Sequence, residues 1–119
     1  MQPLEVDHDV RENAVVVKVK GDVDSLSVDA LNNHLFKARG NAVGHPRRRV
    51  VIDLTEVTYF GSAALNAVLS CHEEGGVEGT SVAVVADQPY VLQPIEITGL
   101  HRVLATYPTI DHALQRDGH

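Results

Sequence analysis

The sequence predicts an α/β fold in which a mixed sheet of four or five strands is flanked by about four helices. Three observations carry this. Residues 14–20 (AVVVKVK), 49–54 (RVVIDL) and 80–86 (TSVAVVA) are runs rich in β-branched residues and have the composition of strands. Between them, residues 25–39 and 62–74 repeat apolar side chains at helical spacing. That alternation implies an α/β sandwich with a mixed sheet, and an extended segment ahead of residue 14 offers a hairpin partner to the first run.

The elements follow in order. Leu4, Val6 and Val10 sit among acidic residues in an extended pattern, which the polar Arg11-Glu12-Asn13 breaks. In the next run Val15, Val17 and Val19 share one face, and Gly21 is expected to end it. Over residues 25–39, Val28, Leu31, Leu35 and Ala38 form one stripe; Ser25 or Ser27 is placed to cap the start. Asp22 and Asp24 precede that helix, where its dipole favours anions by ~0.3–1 kcal/mol. Residues 40–46 read as a loop. The run Val50-Val51-Ile52 is apolar on both faces, as a doubly covered central strand requires. Residues 55–60 read as a connection whose Val57, Tyr59 and Phe60 cover the core.

In the helix over residues 62–74, Ala64, Leu65, Ala67, Val68, Leu69 and Cys71 fall on one arc; Ser62, Asn66, Ser70 and Glu73 fall on the other. Gly75-Gly76 is the expected stop. A buried strand over 80–86, a short helix over 90–98 ended by Gly99, a short edge strand over 103–106 and a terminal helix over 109–115 complete the chain. Ile110, Ala113 and Leu114 of that last helix point inward. One domain over residues 1–119, with its core at about 4–115, suits a chain of 119 residues. Its oligomeric state, monomer or weak dimer, is left open.

Composition excludes several function classes. The formal charge is −6, from 16 acidic and 10 basic residues, which opposes nucleic-acid binding. The cluster Arg47-Arg48-Arg49 reads as the solvated start of a strand. No run reaches the ~20 apolar residues of a membrane span, and the acidic start is unlike a signal peptide; a cytoplasmic location is expected. The seven histidines, His8, His34, His45, His72, His101, His112 and His119, contain no i,i+4 pair, and Cys71 is alone. Neither a metal nor another cofactor is expected.

Enzymatic signatures are also missing. Ser62 lies at a strand-to-helix turn, but Phe60 and Ala64 stand where a nucleophile elbow needs glycine. No phosphate-binding glycine loop is present. Cys71 reads as a small buried residue. Asp53, near the end of a central strand, is placed either to face a helix terminus or to accept a phosphoryl group. The second reading is a receiver-like domain with Asp22 and Asp24 as its acidic pair; no lysine follows Lys37 to complete it.

Four segments in this order resemble the STAS domain family, in particular the bacterial anti-sigma factor antagonists. They are Gly21-Asp22-Val23-Asp24, the run from Val50 to Val57 (VVIDLTEV), Phe60-Gly61-Ser62-Ala63-Ala64-Leu65, and Ile97-Thr98-Gly99-Leu100. The similarity covers roughly residues 4–115 and implies a STAS-type fold without enzymatic activity. It implies a partner as well: an anti-sigma factor of the protein-kinase type, which phosphorylates a serine or threonine at the start of the second helix. The unphosphorylated form binds that partner and frees the sigma factor. Ser62 holds the phosphoacceptor position and Asp24 the acidic position of the first loop; Gly61, Ser62, Ala63 and Ala64 form the partner-binding turn. The chain departs from the pattern twice, with Gly61 in place of an aspartate and Ala64 in place of a glycine. A STAS module that works in a stress-signalling assembly without phosphorylation is the alternative within the family.

Elementary physics leaves two roles for Ser62. A serine at a helix start caps a free backbone N–H, worth ~1 kcal/mol. A phosphate there carries ~−1.5 to −2 charge, which a helix N-terminus tolerates and a docked partner does not. Leu65 stands where a capping box would have Glu or Gln, so no capping box engages Ser62.

Overall fold

The computed structural model describes residues 2–115, so His119 lies outside the described residues. The elements run β1 (Glu5–Val10), β2 (Val15–Val23), α1 (Val28–Val43), β3 (Arg49–Phe60), α2 (Ser62–Glu78), β4 (Ser81–Val85), α3 (Pro89–Ile97), a 3₁₀ turn (Leu100–Arg102), β5 (Ala105–Tyr107) and α4 (Ile110–Gln115). The strands form one sheet in the order β1-β2-β3-β4-β5. β1 is antiparallel to β2, and all the other pairs are parallel. The expected mixed sheet is therefore present, with five strands and four α-helices among the described residues.

Two apolar layers hold the sheet. On one face Val15, Val17, Val19, Val50, Ile52 and Leu54 pack with Leu31, Leu35 and Ala38 of α1, Ala64, Val68 and Cys71 of α2, and Val91 and Ile95 of α3. On the other, Val16, Val51 and Val85 meet Ala113 of α4. Every second residue of β2 and β3 thus serves a different layer, which is why both strands read as continuous apolar runs.

Four elements depart from the sequence expectations by three residues or more, each for a tertiary reason. Gly21 does not end β2, which continues to Val23. It sits at φ 91° beside a register shift, and a Cβ there would overlap the Pro3 carbonyl oxygen. The glycine thus admits a bulge and the close passage of the N-terminal segment. Helix α1 starts three residues later than expected and runs through Gly40 to bury Ala42. Gly75-Gly76 do not stop α2, which ends at Gly79 with φ 80°. Gly75 is instead a packing residue: a Cβ on it would meet Thr80 Oγ1 at 2.9 Å and Val82 Cγ2 at 3.0 Å.

The fourth difference matters most for function. Residues 55–60 are not a connection but the second half of β3, paired with β2 up to the match of Val23 with Phe60. β4 leaves β3 at Asp53, so the carbonyls beyond lose their strand partner on that side. Gln88 Nε2 replaces it, donating to the carbonyl oxygens of Leu54 at 2.8 Å and Val57 at 3.2 Å. The Tyr90 hydroxyl donates to Val57 O at 2.7 Å. Backbone acceptors that would otherwise stay unpaired are satisfied by side chains more than 30 residues away. Val57 and Phe60 do cover the core, but Tyr59 is 53% exposed.

The arginine cluster also departs from a solvated start. Arg49 is buried, with its guanidinium 6.0 Å from the centre of the Tyr107 ring. Arg48 donates to the carbonyls of Val43, Glu78 and Gly79. Three adjacent positive charges are therefore not presented together as a patch.

Candidate functional site

Parallel pairing brings two loops together at the carboxyl ends of β2 and β3, where ligands of open α/β sheets collect. Val23 and Phe60 are register partners, so the residues after them, Asp24 and Gly61, leave the sheet on neighbouring strands. The sheet itself thus places Asp24 beside the turn that carries Ser62.

The first loop is closed by Asp24. Its Oδ1 accepts from the backbone N–H of Leu26 at 2.9 Å and of Ser27 at 3.1 Å, and from the Ser27 hydroxyl at 3.2 Å. The single Ser27 hydroxyl proton is shared with Asp22 O, which lies 3.1 Å from Oγ. The aspartate therefore builds the entry turn of α1, which delays the helix to Val28. Leu26, 88% exposed, sits at the tip of this turn. Asp22 joins β3 and the N-terminal segment instead. Thr58 Oγ1 donates to its Oδ1 at 2.6 Å and the Gln2 N–H to its Oδ2 at 3.2 Å. The Thr58 hydroxyl first, and then the Gln2 amide, hold its carboxyl below the ordinary value of 3.8.

The second loop is the turn into α2. Gly61 is the N-cap, in extended backbone, and its carbonyl accepts the first helical bond from Leu65 N–H at 3.1 Å. Ser62 is the first helical residue and is exposed. Its side chain makes no hydrogen bond to another described residue. Of the two roles open to Ser62, capping its own helix is thus not realised. The amides of Ser62, Ala63 and Ala64 precede the first intrahelical bond and lack helical acceptors. Ala64 is buried against the core, and Ala63 is half-buried beside Ser62. The Tyr59 ring lies over Gly61, where an added Cβ would meet its Cε2 and hydroxyl at 3.0 Å.

From this turn a groove of about 620 Å³ runs between α1 and α2. Val28, Asn32, Phe36, Ala63, Asn66 and Ser70 are among its lining residues. The polar arc of α2 found in the sequence, Asn66 and Ser70, thus contributes one wall. Sequence reasoning did not single out Leu26 or Phe36. Their signal was an apolar residue outside the buried stripe of α1.

Asp53 does not lie at a strand end. It is 6% exposed in the middle of β3, and its Oδ1 accepts from Thr55 N–H at 3.0 Å and the Thr55 hydroxyl at 2.7 Å. A receiver-like role for Asp53 therefore has no exposed acceptor to rest on. Cys71 is buried, and burial pushes its thiol up to about 11, so it is no thiolate nucleophile. Among the described residues no three His, Cys, Asp or Glu side chains gather as a metal-binding group, and no helix is long and apolar enough to cross a membrane.

Comparison with known proteins places this architecture. The family model of the STAS domain matches residues 5–113. A Mycobacterium tuberculosis protein described as an anti-anti-sigma factor is 31% identical over 93 residues, covering 73% of this chain and 61% of that relative. The match thus spans less than two thirds of that relative's length. The anti-sigma-F factor antagonist RsfB of Mycobacterium tuberculosis is 28% identical over 99 residues, covering 83% of this chain and 77% of RsfB. The crystal structure of an anti-sigma factor antagonist from Mycobacterium paratuberculosis superposes with a TM-score of 0.88 at 30% identity, covering 98% of this chain and 96% of that one.

Proposed function

The chain belongs to the STAS domain family, and from that premise we propose that it is an anti-sigma factor antagonist switched at Ser62. Its relatives' names support the antagonist role. The switch rests on one observation: the Ser62 hydroxyl stands exposed and unbonded at the first residue of α2, beside the Asp24 turn.

In the unphosphorylated form, a kinase-type anti-sigma factor docks over the turn at 61–64 and over Leu26, and so releases the sigma factor. Gly61 and Ala63 keep that surface low, so the partner reaches the backbone. Phosphoryl transfer moves the γ-phosphoryl group of the partner's nucleotide to Ser62 Oγ; the hydroxyl proton leaves and the nucleoside diphosphate departs. The helix end holds the new charge through its free N–H groups. Opposing or burying that charge in the interface costs several kcal/mol, and each ~1.4 kcal/mol is a tenfold loss of affinity. The protein works in the cytoplasm, where sigma factors act, and binds rather than catalyses.

The test is a side-by-side capture from the source cells with wild type, Ser62→Ala and Ser62→Glu. Wild type and Ser62→Ala should retain a common kinase-like partner, and Ser62→Glu should lose it at least about tenfold. Intact mass after incubation with that partner and ATP should rise by one phosphate in wild type and not in Ser62→Ala. Phosphate arriving on Ser62→Ala, or Ser62→Glu binding as tightly as wild type, removes the switch. Gly61 favours a second reading, docking without phosphorylation, which predicts a captured partner that leaves the mass of wild type unchanged.

A further inference from the structure

β1 is an edge strand whose Val6 packs on the core, and two hydrogen-bonded devices attach it to its neighbours. One is the backbone ladder with β2. The other is a side-chain bridge to α1: His8 Nε2 and His34 Nδ1 lie 2.8 Å apart, half-buried, with ring centres 5.0 Å apart. A single proton between the two nitrogens makes this an ordinary N–H···N hydrogen bond.

The strand is also tied to the loops described above. Its antiparallel register carries the segment ahead of it along the carboxyl end of β2. There the Asp22 N–H donates to Gln2 O at 3.0 Å, and the Gln2 N–H donates to the Asp22 carboxylate. Asp22 in turn accepts from Thr58 of β3. One continuous set of bonds therefore runs from the histidine pair, along β1, to the base of both loops.

We propose that His8 and His34 form a proton-sensitive clasp that holds β1 to α1 at neutral pH and opens in mild acid when both rings are protonated, loosening the platform beneath the Ser62 turn. The chemistry is direct. A first added proton can sit on an outer ring nitrogen and leave the N–H···N bond in place; protonating both rings leaves two N–H groups facing each other, with no acceptor between them and two positive charges at contact. Around them, Lys37 on α1 adds a third positive charge and Asp7 on β1 opposes it; the β2 residue paired with His8 is the apolar Val17. Burial first, then His34 and Lys37, hold the His8 imidazole below its ordinary value of 6.5, with Asp7 acting the other way. The unfolded chain therefore takes up the proton more readily than the folded one. The clasp's contribution is complete above pH 6.5 and is lost as the pH falls through the lowered His8 value. The β1–β2 ladder carries no titrating group in its bonds, so the strand remains paired on average, but without its attachment to α1 the edge ladder opens more often.

The test uses the protein alone. Amide exchange, corrected for its intrinsic pH dependence, should accelerate at least about fivefold in β1 and at Asp22 between pH 7.5 and 5.5, the range a histidine spans. The double variant His8→Gln/His34→Gln, which cannot titrate, should lose that acceleration. Ring titration by NMR should give His8 a midpoint below 6.5 in wild type, moving upward in His34→Gln. Exchange in β1 that ignores pH, an equal response in the double variant, or a His8 midpoint unmoved by His34→Gln would each overturn the clasp.

Discussion

The two ends of the α1–α2 pair are built in opposite ways. At the carboxyl ends, Arg48 donates to Val43 O of α1 and to Glu78 O and Gly79 O at the end of α2, at 2.7–3.1 Å. It holds φ 49° to do so, a left-handed conformation that costs a non-glycine residue about 1 kcal/mol or more. Nearby, the buried Arg39 bonds Glu74 at 2.8 Å and Glu78 at 3.1 Å while lying over the Phe36 ring. At the amino end of α2 there is none of this: a glycine cap, a serine without a side-chain bond, and two alanines. The contrast teaches that the helix pair is anchored at the end away from the proposed docking turn. Its other end is left with free backbone donors, and a group added there meets few interactions that hold the fold together.

Substitutions at the two ends should therefore separate stability from binding. The largest effect on stability belongs to the anchored end. Arg48→Ala hands three solvent-exposed carbonyls to water, losing only the net strength of those bonds, and should cost about 2 kcal/mol in urea unfolding, while capture of the partner is unchanged. Arg39→Ala should cost about 2 kcal/mol, mainly through lost packing, because Glu74 and Glu78 keep water after the change. Equal loss of binding and stability in either variant would break the comparison.

Gln88→Ala sharpens it, because Gln88 belongs to neither end. It supports the second half of β3, which delivers Gly61 and Ser62. Removing it should cost about 1–2 kcal/mol and also weaken partner capture, since the turn loses its seat. Gly61→Asp should be the mildest, within about 0.5 kcal/mol, because only the exposed Tyr59 ring has to swing aside. Its readout is the rate of phosphate gain at Ser62, which should rise. Asp22 supplies the pH arm. Its carboxyl is held low, so its contribution is present above pH 3.8 and is lost as the pH falls through its lowered value. Asp22→Asn should flatten that part of an acid-unfolding curve.

Much of this arrangement was legible before the fold. Asp24 follows the first strong β-branched run, Gly61 and Ser62 open the second helix, and an α/β fold with a mixed sheet is what such runs alternating with helices imply. The glycines were less legible. Gly75, Gly76 and Gly79 are equivalent as helix stops in sequence. Only the contact of Gly75 with Thr80 and Val82 shows why the helix passes through it, and only the positive φ of Gly79 marks the end. The length of β3 was hidden as well, because its last carbonyls are satisfied by Gln88 and Tyr90 rather than by an adjacent strand. His8 and His34, 26 residues apart, carried no spacing that announced a pair.

By itself, the sequence determined the kinds of elements, their order, the apolar layers and the serine at the head of the second helix. Those follow from periodicity and chain punctuation, which are local properties of neighbouring residues. The tertiary structure alone decided how far β3 extends, which glycines pack and which one turns, where Asp24 and Asp22 spend their hydrogen bonds, and which histidines meet. Those outcomes depend on polar groups distant in sequence finding one another once the sheet has formed. No local pattern encodes such pairings, because they exist only when the register between strands places the partners side by side.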